Sequence, residues 1–184
     1  MFKSLPNKLT VSRILAIPVI LLLLAIPYGW AAWLALILYG AAGVTDFLDG
    51  YLARRENTVS RIGQFLDPIA DKLLVASVIL MLVYNGQIGG FSILPAVIIL
   101  LREVAVSGLR EFLAGLRVSV PVSKLAKWKT VIQIFSLGFL IVGKYAPDSI
   151  PSTMIGDTLL WIAGGFTLIT AYDYWRASEK HFET

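Results

Sequence analysis

Asp46, Asp49, Asp67 and Asp71 fall within 26 residues of one another, in VTDFLDGYLARRENTVSRIGQFLDPIADK (residues 44–72), in a chain that is otherwise mostly hydrocarbon. Spacings of three and four put each pair on one face of a helix, so two neighbouring antiparallel helices could turn four carboxylates toward one point. An aspartate held in hydrocarbon costs about 2.5–3.5 kcal/mol on insertion scales, and like charges repel as well. Such a cluster calls for cations. Arg54, Arg55 and Arg61 lie at or in the connection between the helices, where water competes for them, and Lys72 points away from its neighbour Asp71. With no cysteine and no histidine nearby, hard oxygen donors favour Mg²⁺, Mn²⁺ or Ca²⁺. Four carboxylates match the charge of two divalent ions, the arrangement that clamps attacking and leaving oxygens during displacement at phosphorus. Gly50 and Gly63 would let a bulky ligand approach the backbone, and Arg54 can offer planar donors to a phosphate. A single aspartate near a helix end is usually a cap, and Asp67 before Pro68 suits an N-cap with proline at the first helical position. Four in register are not explained that way.

The elements that must position these residues are apolar. The 184-residue chain is 57% hydrophobic and 15% charged, against about 25% charged in soluble domains. Its mean hydropathy is +0.76. An all-α, polytopic integral membrane protein is expected. The absence of cysteine excludes disulfides and thiolate metal sites. The first apolar run, from about Leu9, is followed by no small-residue cleavage site and reads as a retained helix. Six spans of about 20 residues are predicted, at 9–27, 31–53, 67–84, 92–113, 126–143 and 157–176. They are separated by turn chemistry at Pro27-Tyr28-Gly29, at Asn85-Gly86 with Gly89-Gly90, and from Pro147 to Pro151. The start, MFKSLPNKLT, also suits a short interfacial helix. No internal repeat or linker divides the chain, so residues 1–184 are expected to form a single domain.

Basic residues alternate by connection. Lys3, Lys8 and Arg13 lie at the N-terminus, Arg54, Arg55 and Arg61 between spans two and three, and Arg117, Lys124, Lys127 and Lys129 between four and five; Arg176 and Lys180 lie at the C-terminus. Of the remaining three connections, only the one near 144–156 carries a basic residue, Lys144. The positive-inside rule then places both termini and both basic connections in the cytoplasm, and an even number of spans agrees with this. Tyr28, Trp30, Trp33, Tyr174 and Trp175 fall near the expected interfaces, where aromatic rings anchor.

Taken together, Asp46-x2-Asp49-Gly50-x2-Ala53-Arg54-x8-Gly63-x3-Asp67-x3-Asp71 resembles the signature of the CDP-alcohol phosphotransferases at every position. PNKLTVSRI near the start, LREVAVSGLREFLA at 101–114 and SKLAKWKT at 123–130 are similar to the bacterial branch that transfers a phosphatidyl group from CDP-diacylglycerol to sn-glycerol 3-phosphate. The resemblance implies a six-helix enzyme, a homodimer, in the bacterial inner membrane with its site in the cytoplasmic half of the bilayer. It implies that Asp46, Asp49 and Asp67 bind Mg²⁺ or Mn²⁺, two ions per site, and that Asp71 both contacts metal and acts as base. Gly50, Ala53, Arg54 and Gly63 would hold the CDP-diacylglycerol, helped by Asn7 and Thr10. The expected chemistry is direct displacement: the acceptor's primary hydroxyl attacks the phosphorus bearing diacylglycerol, CMP leaves, and Asp71 takes the proton. An ordinary carboxylate, with a pKa near about 4, is a weak base for an alcohol, so metal polarisation and late proton transfer are needed.

The acceptor is largely a dianion near neutral pH and needs further cations. Arg110 at the end of span four, with Lys124, Lys127 and Lys129 leading into span five, forms a second basic group. Arg102, about two turns from Arg110, would sit deeper, and Glu103 is a candidate partner for a cation on another helix. The same lysines would also enforce topology and attract anionic lipid. His181 reads as a solvated residue of the polar tail, and no nucleic-acid partner is expected. Two alternatives remain at this stage. One is a sibling enzyme using serine, inositol phosphate or phosphatidylglycerol. The other is an ion-coupled transporter, against which the acidic residues gather on one side instead of lining a path.

Overall fold

In hydrocarbon a backbone must satisfy its own N–H and C=O groups, and long apolar runs do so as helices. The computed structural model describes the backbone of residues 5–56, 61–116, 118 and 123–179, and the side chains of 11–45, 66, 68–116, 118, 123 and 125–179. Among the described residues there are six α-helices and no strand: α1 (Leu5–Ala25), α2 (Gly29–Glu56), α3 (Arg61–Tyr84), α4 (Ile93–Gly115), α5 (Lys124–Val142) and α6 (Ser152–Glu179). Short 3₁₀ turns, Gly90–Ser92 and Gly143–Tyr145, precede α4 and follow α5. The expected helices are all present, but several run past their apolar stretch into polar sequence.

Two boundaries differ in ways that bear on the chemistry. α3 begins at Arg61, so Asp67 and Pro68 lie within the helix and Asp67 is not its N-cap. Pro68 withdraws one N–H from the ladder there. α1 runs unbroken from Leu5, so from that residue on the sequence expected to make a separate interfacial helix is continuous with the first apolar one. Pro6 is its second residue, where a missing N–H costs nothing.

By length and composition, Gly90–Gly115, Leu125–Tyr145 and Ser152–Glu179 are each long and apolar enough to cross a membrane, and Val11–Ala25 and Gly29–Thr45 are shorter apolar helices. The helices are apolar on both faces. α1 buries Ile17, Ile20 and Leu24 on one stripe and exposes Leu15, Val19 and Leu22 on another. In water the second stripe would be polar; here it is the mark of a lipid-facing surface.

The chain divides into two compact units. The first contains residues 1–88 and 138–153. In it α1 packs against both α2 and α3. Asn85 donates from Nδ2 to the Leu24 carbonyl at 2.8 Å, capping the last turn of α1. Gly86 then reverses the chain with φ +69°, a conformation that favours glycine. Trp33 donates from Nε1 to the Tyr145 carbonyl at 3.4 Å. A cavity of about 80 Å³ lies near these turns, lined in part by Pro27, Asn85, Gln87 and Lys144.

The second unit contains residues 89–137 and 154–184. Gly164 of α6 lies against Pro95 of α4 so closely that an added Cβ would stand 2.8 Å from the Pro95 Cβ. Small residues permit such approach between membrane helices. Ser136 donates to the Gly156 carbonyl at 2.8 Å, and Ser123 caps α5 by accepting from the Ala126 N–H at 3.2 Å.

Candidate active site

In the first unit, helical register carries the buried stripes toward the residues with chemistry. On α1 the stripe Ile17–Ile20–Leu24 extends back four residues to Arg13. On α2 the buried Ala35, Tyr39 and Ala42 are followed, at spacings of four and three, by Asp46 and Asp49. On α3 the buried Leu74 and Val78 are preceded, at three and seven residues, by Asp71 and Asp67. All four aspartates thus occupy register positions continuous with the packed faces of α2 and α3.

Asp71 is the one of the four whose side chain is described. Its Oδ1 accepts from Nη1 of Arg13 at 3.5 Å. The Arg13 side chain is 0% exposed and that of Asp71 52% exposed. A guanidinium buried among apolar helices needs a counter-charge, and Asp71 supplies it. The open half of the same carboxylate can take a proton or a cation. Arg13 was counted from sequence only as one of the N-terminal positive charges; its partner, 58 residues away, lies beyond any local pattern. Tyr39 was missed as well. Its hydroxyl is buried and has no hydrogen-bond partner among the described residues, so a bound polar group would satisfy it.

Four hard carboxylates on two helices of one unit, with an orphaned hydroxyl on the same face of α2, fit a divalent cation held through oxygen. The side chains of Asp46, Asp49 and Asp67, and those of Asn7, Thr10, Ala53, Arg54 and Lys124, lie outside the described residues, as does the surround of Gly50 and Gly63. Their backbones place Asn7 and Thr10 on α1, Asp46, Asp49, Gly50, Ala53 and Arg54 on α2, Gly63 and Asp67 on α3, and Lys124 at the first position of α5. His181 also lies outside the described residues.

In the second unit Lys129 and Arg110 of the expected basic group, together with Arg102, contact Glu103, Thr170 and Tyr174. Lys129, 3% exposed, pairs through Nζ with Glu103 Oε1. Glu103 therefore does bind a cation from another helix. Arg102 also approaches Glu103, at 3.4 Å, and donates from Nη2 to Thr170 Oγ1 at 3.4 Å. Arg110 donates from Nη2 to the Tyr174 hydroxyl at 2.6 Å. The Cζ atoms of Arg102 and Arg110 lie over the Tyr174 ring, 5.8 and 5.2 Å from its centroid. Lys127 is exposed. The sequence grouped Tyr174 with the interfacial aromatics; it is 4% exposed, whereas Trp175 beside it is 57% exposed. The two differ because successive helical residues point about 100° apart.

Residues 3–169, which span both units, match the family described as CDP-alcohol phosphatidyltransferase. The CDP-diacylglycerol–glycerol-3-phosphate 3-phosphatidyltransferase of Rickettsia bellii (strain RML369-C) is 48% identical over 180 residues, covering 98% of each chain. Proteins of the same name are 40% identical in Cereibacter sphaeroides, over 94% of each chain. In Bacillus subtilis (strain 168) the identity is 36%, over 98% of each chain.

Proposed function

The chain belongs to the CDP-alcohol phosphatidyltransferase family, and on that premise we propose that it transfers the phosphatidyl group of CDP-diacylglycerol to sn-glycerol 3-phosphate, releasing CMP. The observation that carries this reading is a complete signature on a chain whose named relatives match over nearly its whole length. The eight-residue aspartate signature is complete within α2 and α3. Relatives bearing that activity in their name match end to end, at 36–48% identity.

In this reading Asp46, Asp49, Asp67 and Asp71 hold the metal. The chemistry that two bound Mg²⁺ or Mn²⁺ ions supply is neutralisation of the diphosphate and a better leaving group in CMP. Gly50, Ala53, Arg54 and Gly63 hold the CDP portion, with Asn7 and Thr10 of α1 beside the nucleotide. Asp71 takes the proton from the acceptor's primary hydroxyl as that oxygen attacks the phosphorus bearing diacylglycerol. Arg13 orients the Asp71 carboxylate for that task. Arg110, Lys124, Lys127 and Lys129 supply positive charge for the acceptor phosphate; Lys129 does so as part of the pair with Glu103. No covalent intermediate on the protein is required.

The same reading has all 184 residues working as one domain with six membrane crossings in the bacterial inner membrane. Both termini face the cytoplasm, with lipid around it and a second copy as partner. The alternation of basic connections supports the orientation. An acceptor screen tests the function. Purified protein in detergent with CDP-diacylglycerol and Mg²⁺ should release CMP on addition of glycerol 3-phosphate. Product with serine, inositol phosphate or phosphatidylglycerol instead would move the chain to a sibling activity.

A further inference from the structure

We propose that Tyr174 is a positioning residue that holds Arg110 and Arg102 as a paired guanidinium site for the phosphate of the acceptor; this rests on the phosphorylated-alcohol reading above. Arg102 and Arg110 stand eight residues apart on α4, about 12 Å along the helix. Left alone, two like charges on one helix would spread away from each other. Instead both guanidiniums lie over one ring on α6. The aromatic face attracts each cation and offsets part of their repulsion. A guanidinium lying on an aromatic face keeps its N–H donors at its edge, where a planar or tetrahedral oxyanion is met.

The hydroxyl separates Tyr174 from a packing aromatic. Its neighbours on the same buried face of α6 use their hydroxyls within their own helix: Thr170 donates to the Phe166 carbonyl at 2.8 Å and Ser178 to the Tyr174 carbonyl at 2.6 Å. The Tyr174 hydroxyl reaches a side chain on α4 at much closer range than Thr170 does, accepting from Arg110 at 2.6 Å where Thr170 accepts from Arg102 at 3.4 Å. Besides the Tyr174 ring, Arg102 has 3.4 Å contacts to Glu103 and Thr170, at the weak end of hydrogen-bond geometry. A phosphate would give Arg102 further charged acceptor oxygens. Charge points the same way. Arg102 and Lys129 share the carboxylate of Glu103, and Arg110 adds a further positive charge over the same ring as Arg102.

The test is a comparison of Tyr174→Phe and Tyr174→Leu with the parent chain, full length and in detergent. KM is measured separately for glycerol 3-phosphate and for CDP-diacylglycerol, alongside the melting temperature. Tyr174→Phe keeps the ring and removes the hydroxyl; it should raise KM for glycerol 3-phosphate about five- to twentyfold and leave that for CDP-diacylglycerol within about twofold. Tyr174→Leu should raise the acceptor KM further. An unchanged acceptor KM in Tyr174→Phe, or equal changes in both KM values, would overturn the proposal and leave the residue a packing contact. If the parent chain uses only acceptors that carry no phosphate, the functional reading falls and this inference with it. If it uses glycerol 3-phosphate while Tyr174→Phe matches the parent, this inference alone falls.

Discussion

The wholly buried guanidinium of Arg13 on α1 meets the half-exposed carboxylate of Asp71 on α3 at 3.5 Å. One contact thereby does two things: it gives a cation among apolar helices its counter-charge, and it biases the orientation of the residue expected to accept the proton. Arg13→Gln should lower kcat about tenfold or more with little change in the acceptor KM, because the carboxylate loses its orienting charge without losing the acceptor's own contacts. Arg13→Lys should recover part of the loss. Steady-state kinetics on both variants checks this; equal kcat in Arg13→Gln and the parent would make the pair purely structural.

Asp71→Asn removes the base and keeps the shape. Turnover should fall about a hundredfold or more, while CMP binding measured by calorimetry stays near that of the parent. Retained turnover would assign proton removal elsewhere.

Arg110 is exposed at one end and bonded to Tyr174 at the other. Arg110→Ala should raise the KM for glycerol 3-phosphate about tenfold while kcat at saturating acceptor changes less. Lys127→Ala, at an exposed position, should have a smaller effect on the same KM.

Two adjacent glycines of α6 separate packing from propensity. A Cβ on Gly164 would stand 2.8 Å from the Pro95 Cβ, whereas one on Gly165 would meet nothing within 4 Å. Pro95 is rigid and cannot swing aside. Gly164→Ala should therefore lower stability by about 1–3 kcal/mol, and Gly165→Ala should leave it unchanged or raised by up to about 1 kcal/mol. Melting temperatures in one detergent decide it.

Much of this was legible in the residues because membrane helices follow from apolar run length, and faces follow from spacings of three and four. That is why six α-helices, three of them long and apolar enough to cross a membrane, and the family signature could be read directly. Helix ends were less legible: the apolar count begins α3 near Asp67, but the backbone ladder continues back to Arg61, because polar residues at a membrane surface do not interrupt a helix. Partners across helices were not legible at all. Periodicity tells which face Arg13 or Tyr174 occupies but not which other helix lies against it, so one was read as a topology charge and the other as an interfacial ring. Glu103 was the exception. A carboxylate in an apolar helix must find a cation, and that physical demand pointed to a basic partner before the contact with Lys129 was seen.

The central claim is that carboxylates of α2 and α3 together hold divalent ions next to a lipid-linked diphosphate. Anomalous diffraction from manganese-soaked crystals measures this directly. Anomalous peaks are expected within about 2.5 Å of carboxylate oxygens from Asp46, Asp49, Asp67 and Asp71, lost in the Asp46→Asn and Asp67→Asn variants. Density that places those four side chains apart, with manganese elsewhere or absent, would contradict it.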